Sequence, residues 1–210
     1  MIWQNLKKKT VQKGVLAALS VNVLKEVVSV ESVIFYGPAA MEMAGFNKMS
    51  FGSTISIVSW IGTGFSWTCV DVIGRKSLII YPLSGMSLAS LLLFLQFNGF
   101  NFVLGPYAIV MILLVIFFYC IAFSSIPLTL NSEVHASEFR GYGFVIAHIA
   151  GAIIALMRGV SFTNVEDWSG PFLFFLNTIF SAFGVVSVIF FVPETTNTKL
   201  NEMEEVLRKF

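Results

Sequence analysis

With 210 residues, 56% of them hydrophobic and only 12% charged, and a mean hydropathy of +0.82, this chain lies far from the charge content of a soluble domain, about 25%. That excludes an ordinary water-soluble fold. A net charge of +1 gives no field with which to attract nucleic acid or an acidic partner.

The first stretch, residues 1–13, is basic. The apolar run behind it contains Lys25 and Glu26 and has no convincing cleavage site, so it is not read as a cleaved signal peptide. A bilayer core of about 30 Å needs about 20 apolar helical residues. Six segments meet this in chain order: 14–36, 49–70, 77–97, 105–130, 143–160 and 170–192. Backbone polar groups in hydrocarbon must be paired within their own segment, so each is predicted to be a helix. The expected fold class is an all-α membrane protein with six transmembrane helices. It divides into a basic cytoplasmic segment (1–13), a six-span bundle (14–192) and a cytoplasmic tail (193–210). The connecting stretches are short and carry Gly, Pro, Asn and Ser, the residues of turns.

Within 14–36, Asn22, Lys25, Glu26, Ser29, Ser32 and Tyr36 fall on one face of a helix at 100° per residue. Lys25 lies twelve residues past Lys13, roughly 18 Å along the helix and near mid-bilayer. A charge there costs at least about 2.5–3.5 kcal/mol, so the stripe must face protein or a wet cavity. Two readings stay open. The stripe lines the path of a solute, charged or zwitterionic, or Lys25 and Glu26 neutralise partners elsewhere.

Cys69, inside 49–70, and Cys120, inside 105–130, have neither disulfide nor metal spacing and read as buried structural thiols. Between the second and third segments, Asp71-Val72-Ile73-Gly74-Arg75-Lys76 places an acid, a turn-permitting glycine and two bases. After the fourth, Glu133…Arg140-Gly141 repeats acid, base and glycine, with His135 between them expected to be solvated. His148, in the fifth segment, reads either as a packing histidine or as a proton relay. Pro193-Glu194-Thr195 closes the sixth. Lys7, Lys8, Lys9, Lys13, Arg75, Lys76, Arg140, Lys199, Arg208 and Lys209 fall on one side of the membrane, against Lys48 and Arg158 on the other. That ten-to-two bias predicts both termini in the cytoplasm. No catalytic triad, carboxylate cleft, phosphate-binding loop or metal set is present, so no enzyme, cofactor or metal is expected.

In this order and at these span ends, Val33-Ile34-Phe35-Tyr36, Asp71…Gly74-Arg75-Lys76, Pro127, Glu133…Arg140-Gly141 and Pro193-Glu194-Thr195…Leu200…Glu204 resemble the C-terminal half of sugar porters of the major facilitator superfamily. Insect facilitated trehalose and hexose transporter-like members are particularly similar. The resemblance covers nearly the whole chain. It implies one six-helix half of a twelve-helix transporter that moves a small polar solute, a sugar by family default, across the plasma membrane by alternating access. Its partners would be the lipid bilayer and an N-terminal six-helix half, or a second copy of the chain. By the same resemblance Asp71, Arg75, Lys76, Glu133, Arg140 and Glu194 form a cytoplasmic gate, and Asn22, Lys25, Glu26, Ser29 and Tyr36 line the substrate path. The chain departs from the family where a Gln-Gln pair and a following Asn are replaced by Lys25, Glu26 and Glu31, and where Leu128 and Gly151-Ala152 stand in place of a Trp and an Asn-Trp pair. The competing expectation is a truncated or degenerate half-transporter acting at most as a membrane interaction protein.

Overall fold

The computed structural model describes residues 9–28, 30, 33, 34, 37, 38, 41, 42, 45–98, 105–135, 139–163 and 170–196, and those residues are overwhelmingly helical, with no strand among them. We number the helices α1 (Lys9–Val27), α2 (Phe51–Ile73), α3 (Arg75–Phe97), α4 (Gly105–Phe123), α5 (Ile126–Glu133), α6 (Arg140–Thr163) and α7 (Gly170–Phe191). A 3-10 turn, Lys48–Ser50, leads into α2; the Asn47 side chain caps it by accepting from the Met49 N–H at 3.0 Å.

Two boundaries differ from the sequence expectation. The first segment does not run as one helix to residue 36: α1 ends at Val27, and only short helical stretches are described beyond it. The fourth segment is split at Ser124-Ser125 into α4 and α5. Pro127 has no N–H to donate, and its ring would strike the carbonyl of Phe123, so α4 stops there and α5 restarts with the proline in its first turn.

Among the described residues, four helical stretches are long and apolar enough to cross a membrane: Arg75–Phe97, Tyr107–Glu133, Arg140–Val160 and Phe172–Phe191. The expected six are therefore met in four by length and composition. Of the other two long helices, α1 carries Lys9, Lys13, Lys25 and Glu26, and α2 is rich in Ser, Thr and Gly.

The centre of the bundle is α3. It packs on α7 and α4, while α1 packs on α6 and α2 leans on α4. Ile79, Leu83, Met86 and Leu93 of α3 are fully buried, with Ile112 and Val115 of α4 and Phe174 of α7. Hydrocarbon offers no hydrophobic drive between helices, so small residues and polar bridges set the seams. Asn177 Nδ2 of α7 donates to Ser90 Oγ of α3 at 3.0 Å. Ser66 Oγ of α2 donates to the Ile121 carbonyl at 2.9 Å. One turn away on the same seam, a Cβ on Gly62 would meet the Phe117 carbonyl and Cys120 Cβ at 3.0 Å. Both cysteines are partly buried and free.

Outward faces are apolar and bare. Trp60, Trp67 and Val72 on α2, Leu156 and Val160 on α6, and Phe183 and Phe190 on α7 are each more than 60% exposed. A soluble protein rarely leaves such patches uncovered; lipid or another apolar bundle is the environment they suit.

The α2–α4 seam yields a test. Gly62→Val should lower stability by about 1–3 kcal/mol, the usual cost of overpacking. Gly64→Val, on the same helix with open space around it, should not. Thermal unfolding in detergent, followed by loss of the monodisperse species, would compare the two; equal melting points would refute the close-approach account.

Candidate functional site

Two polar clusters stand out in this apolar bundle. The first gathers around the junction of α2 and α3. Gly74 sits between them with φ +96°, a backbone region that side-chain-bearing residues rarely adopt. It is also crowded: a Cβ there would lie 2.9 Å from Thr196 Oγ1 and 3.1 Å from Glu194 Oε2. Having no side chain, Gly74 cannot cap α3 itself. The Arg75 N–H instead donates to Glu194 Oε1 at 3.1 Å and to Thr196 Oγ1 at 3.2 Å. A carboxylate from the end of α7 thus caps the N-terminus of α3, where the helix dipole favours negative charge. The reverse bond is made as well. Lys76 Nζ donates to the Ile189 carbonyl in the last turn of α7 at 2.8 Å, a cation at a helix C-terminus.

Arg75 points the other way. Its Nη2 lies 2.9 Å from Glu133 Oε1 and 3.1 Å from Asp71 Oδ1. Arg75 and Glu133 are largely buried, whereas the Asp71 side chain is 76% exposed. The contact with Glu133 therefore carries most of the energy, since exposed pairs contribute about 0–1 kcal/mol. Thr195 Oγ1 completes the Glu133 shell by donating to Oε2 at 2.6 Å. The structure brings Asp71, Arg75, Lys76, Glu133 and Glu194 together and adds Thr195 and Thr196, to which the sequence reading gave no role. Their signal was present, as two hydroxyls beside a span-end acid.

Arg140 does not join the pairs. No ion pair links it to Asp71, Glu133 or Glu194, and its Nε is buried with no partner among the described residues. It lies instead near His135. The expectation that His135 is solvated is wrong: only 3% of it is exposed, its ring faces the Phe139 ring edge-on, and it fills the space a Cβ on Gly143 would need. Burial first, and then the Arg140 charge, push its imidazole below its ordinary range.

The second cluster sits between α1 and α6. Arg158 Nη1 is 3.2 Å from Glu26 Oε2 and also donates to the Glu26 carbonyl. Lys25 Nζ lies 4.0 Å from Glu26 Oε1, with 40% of its side chain exposed. Asn22, buried one turn earlier, donates through Nδ2 to Asn131 Oδ1 of α5 at 3.0 Å and to the Ala18 carbonyl. The Tyr119 hydroxyl of α4 donates to the Lys25 carbonyl at 3.4 Å. Asn22, Lys25 and Glu26 thus border α4, α5 and α6, while Leu24 on the opposite side packs into Gly184 of α7. Ser29 and Tyr36, the remaining path candidates, lie outside the described residues. The sequence reading missed Arg158 as the Glu26 partner. Opposite charges inside two different spans were the available signal. His148 stacks on Phe144 at 4.2 Å and hydrogen-bonds its carbonyl at 3.1 Å, a packing arrangement.

Comparison with known proteins decides the family. The profile of the family "Sugar (and other) transporter" matches residues 1–207. This chain belongs to the sugar transporter family. Among similar proteins, D-xylose-proton symporter-like 1 of Arabidopsis thaliana is 28% identical over 183 residues, covering 82% of this chain and 35% of that one. The arabinose-proton symporter of Bacillus subtilis (strain 168) is 26% identical, covering 95% and 43% respectively. A crystal structure of a double-tryptophan mutant of XylE superposes with a TM-score of 0.81 at 20% identity, covering 94% of this chain and 44% of XylE. The inward-open xylose transporter XylE of E. coli gives 0.77, over 92% and 42%. The fold is therefore that of the major facilitator superfamily, and the chain spans between a third and a half of the length of these relatives. It is an integral multi-pass membrane protein of a family of transporters, not enzymes.

His135 gives a prediction with a definite sign. Its folded-state pKa lies below the unfolded value of about 6.5, so the unfolded chain binds the proton more readily in that window. Stability should fall as the pH drops through about 6.5 toward the lower folded value and level off below it. Melting temperatures from pH 7.5 to 5.5 should show a shallower slope in His135→Phe than in the parent. Parallel slopes would show that His135 does not carry the effect.

Proposed function

We propose that this chain is the C-terminal six-helix half of a transporter that moves a small polar solute, a sugar or sugar derivative, by alternating access against an N-terminal half. The family match across residues 1–207 carries this reading, supported by a fold that covers less than half of XylE. The insect trehalose and hexose transporters are the proposed subgroup and the plasma membrane the proposed location. In this reading α1 and α2 complete a six-span bundle (14–192) beside the four clearly apolar spans. The Gly74 end then faces the cytoplasm, as do the basic segment 1–13 and the tail 193–210.

On this reading the Gly74 cluster is a latch. Arg75 ties the end of α2 to Glu133 of α5, and Glu194 ties the end of α7 to the start of α3. Rocking of one bundle against the other needs rigid bodies and breakable contacts, and acids and bases on different helices supply both. Arg140, half-buried and without an ion pair to the described acids of this cluster, is the candidate to pair across the bundle interface when the state changes.

Uptake tests the function. The natural gene product containing this chain, reconstituted in liposomes, should give saturable uptake of labelled xylose, glucose, trehalose or a sugar acid. Flux no greater than in empty vesicles for all of them would favour the degenerate half-transporter. The latch has its own readout. Arg75→Ala should raise thiol labelling of a cavity cysteine from the cytoplasmic side about tenfold or more, as expected when about 1.4 kcal/mol is withdrawn from one state. Labelling unchanged from both sides would discard it.

A further inference from the structure

The α1–α6 seam holds a cation whose charge is incompletely matched. Glu26 is nearer to Arg158, at 3.2 Å, than to Lys25, at 4.0 Å, and Arg158 holds the Glu26 carbonyl as well. Lys25 has no other side-chain partner among the described residues, and 40% of its side chain is open. Lys25 stands in the last turn of α1, and an ammonium left open to hydrocarbon would be costly. The opening must therefore meet water, protein or a solute.

The groups around Lys25 narrow the choice. Asn22 and Asn131 are buried and joined to each other, and Asn131 Nδ2 is buried with no partner among the described residues. Asn22 lies three residues from Lys25, about 4.5 Å along the helix. An orphaned amide donor near an undercompensated ammonium asks for an acceptor. A neutral hydroxyl would satisfy the amide and leave the charge unmatched. A carboxylate would match the charge through a charge-assisted bond, about twice as strong as a neutral one. Hydroxyls on the same molecule would serve the amide.

We infer that the open edge of this seam at Lys25 is a subsite for a sugar acid, with Lys25 binding the carboxylate and the unused Asn131 Nδ2 donor, bonded to Asn22 one turn earlier on α1, available to its hydroxyls. The inference rests on the transport reading above and sharpens its substrate class.

The test is direct binding to the purified natural gene product in detergent, by calorimetry with D-glucuronate, D-glucose and lactate as probes. Glucuronate should bind at least about tenfold more tightly than either of the others, the scale of a hydrogen bond to a charged group. Lys25→Gln should lose that preference and Lys25→Arg should keep it. Glucose binding as tightly as glucuronate would overturn the proposal, and so would undiminished glucuronate affinity in Lys25→Gln. Lactate binding equal to glucuronate would overturn the sugar half of it. If Lys25→Gln does not fold, the three-probe comparison on the parent protein still decides. Glucuronate binding without uptake of any solute would sink the transport reading and leave the subsite standing. Glucose uptake with no glucuronate preference would do the reverse.

Discussion

A positive φ at Gly74 is the constraint on which one end of this bundle depends. It lets two 23-residue helices, α2 and α3, follow each other with a single residue between them. The same missing side chain leaves α3 uncapped and admits the Glu194 carboxylate close enough to cap it. Lys76, one residue beyond Arg75, returns the favour to the last turn of α7. Two helices that meet along their length are thus also tied at their ends, each terminus supplied with the charge its dipole favours. A side chain at residue 74 would disturb both the turn and the cap.

Arg75 links this construction to the rest of the fold. Its backbone belongs to the α3–α7 tie, and its guanidinium belongs to the α2–α5 tie through Asp71 and Glu133. The short helix α5 exists because Pro127 stops α4, and that restart is what delivers Glu133 to Arg75 and Asn131 to Asn22. One proline therefore sets the position of residues in both polar clusters.

Much of the Gly74 end was legible in the sequence, because local rules govern it. Acid, glycine and base at the end of an apolar run mark a tight inter-helix turn, and a span-end Pro193-Glu194-Thr195 marks a chain leaving its helix. The α1–α6 seam was only half legible. Lys25 and Glu26 announced themselves as intramembrane charges, but the Glu26 partner is 132 residues away. Only the packing of α1 on α6 makes that partner Arg158. His135 was misread for a related reason. Its neighbours in sequence suggest an exposed connection, yet its burial depends on the absent Cβ of Gly143, eight residues on and in the next helix. The α1 boundary failed because hydropathy runs on past Val27 and does not register where a helix breaks.

The two clusters differ in how many residues share the charge. At the Gly74 end acids outnumber the bases they touch, Asp71 is open to solvent, and each contact joins groups on different helices or their flanking residues. Asp71 can change partners at low cost, because water stands ready to solvate it, whereas Arg75 and Glu133 are as enclosed as the pair in the α1–α6 seam. In the α1–α6 seam the closest pair is fixed by two contacts between the same residues, Arg158 to both the carboxylate and the carbonyl of Glu26. Breaking that pair would strand a buried charge, at about 3–5 kcal/mol. The seam is built to stay closed while Lys25 beside it stays available. A bundle that moves as a rigid body needs enclosed pairs to hold its helices together, an open group such as Asp71 at its rim to change partners, and a spare cation only where a solute can neutralise it.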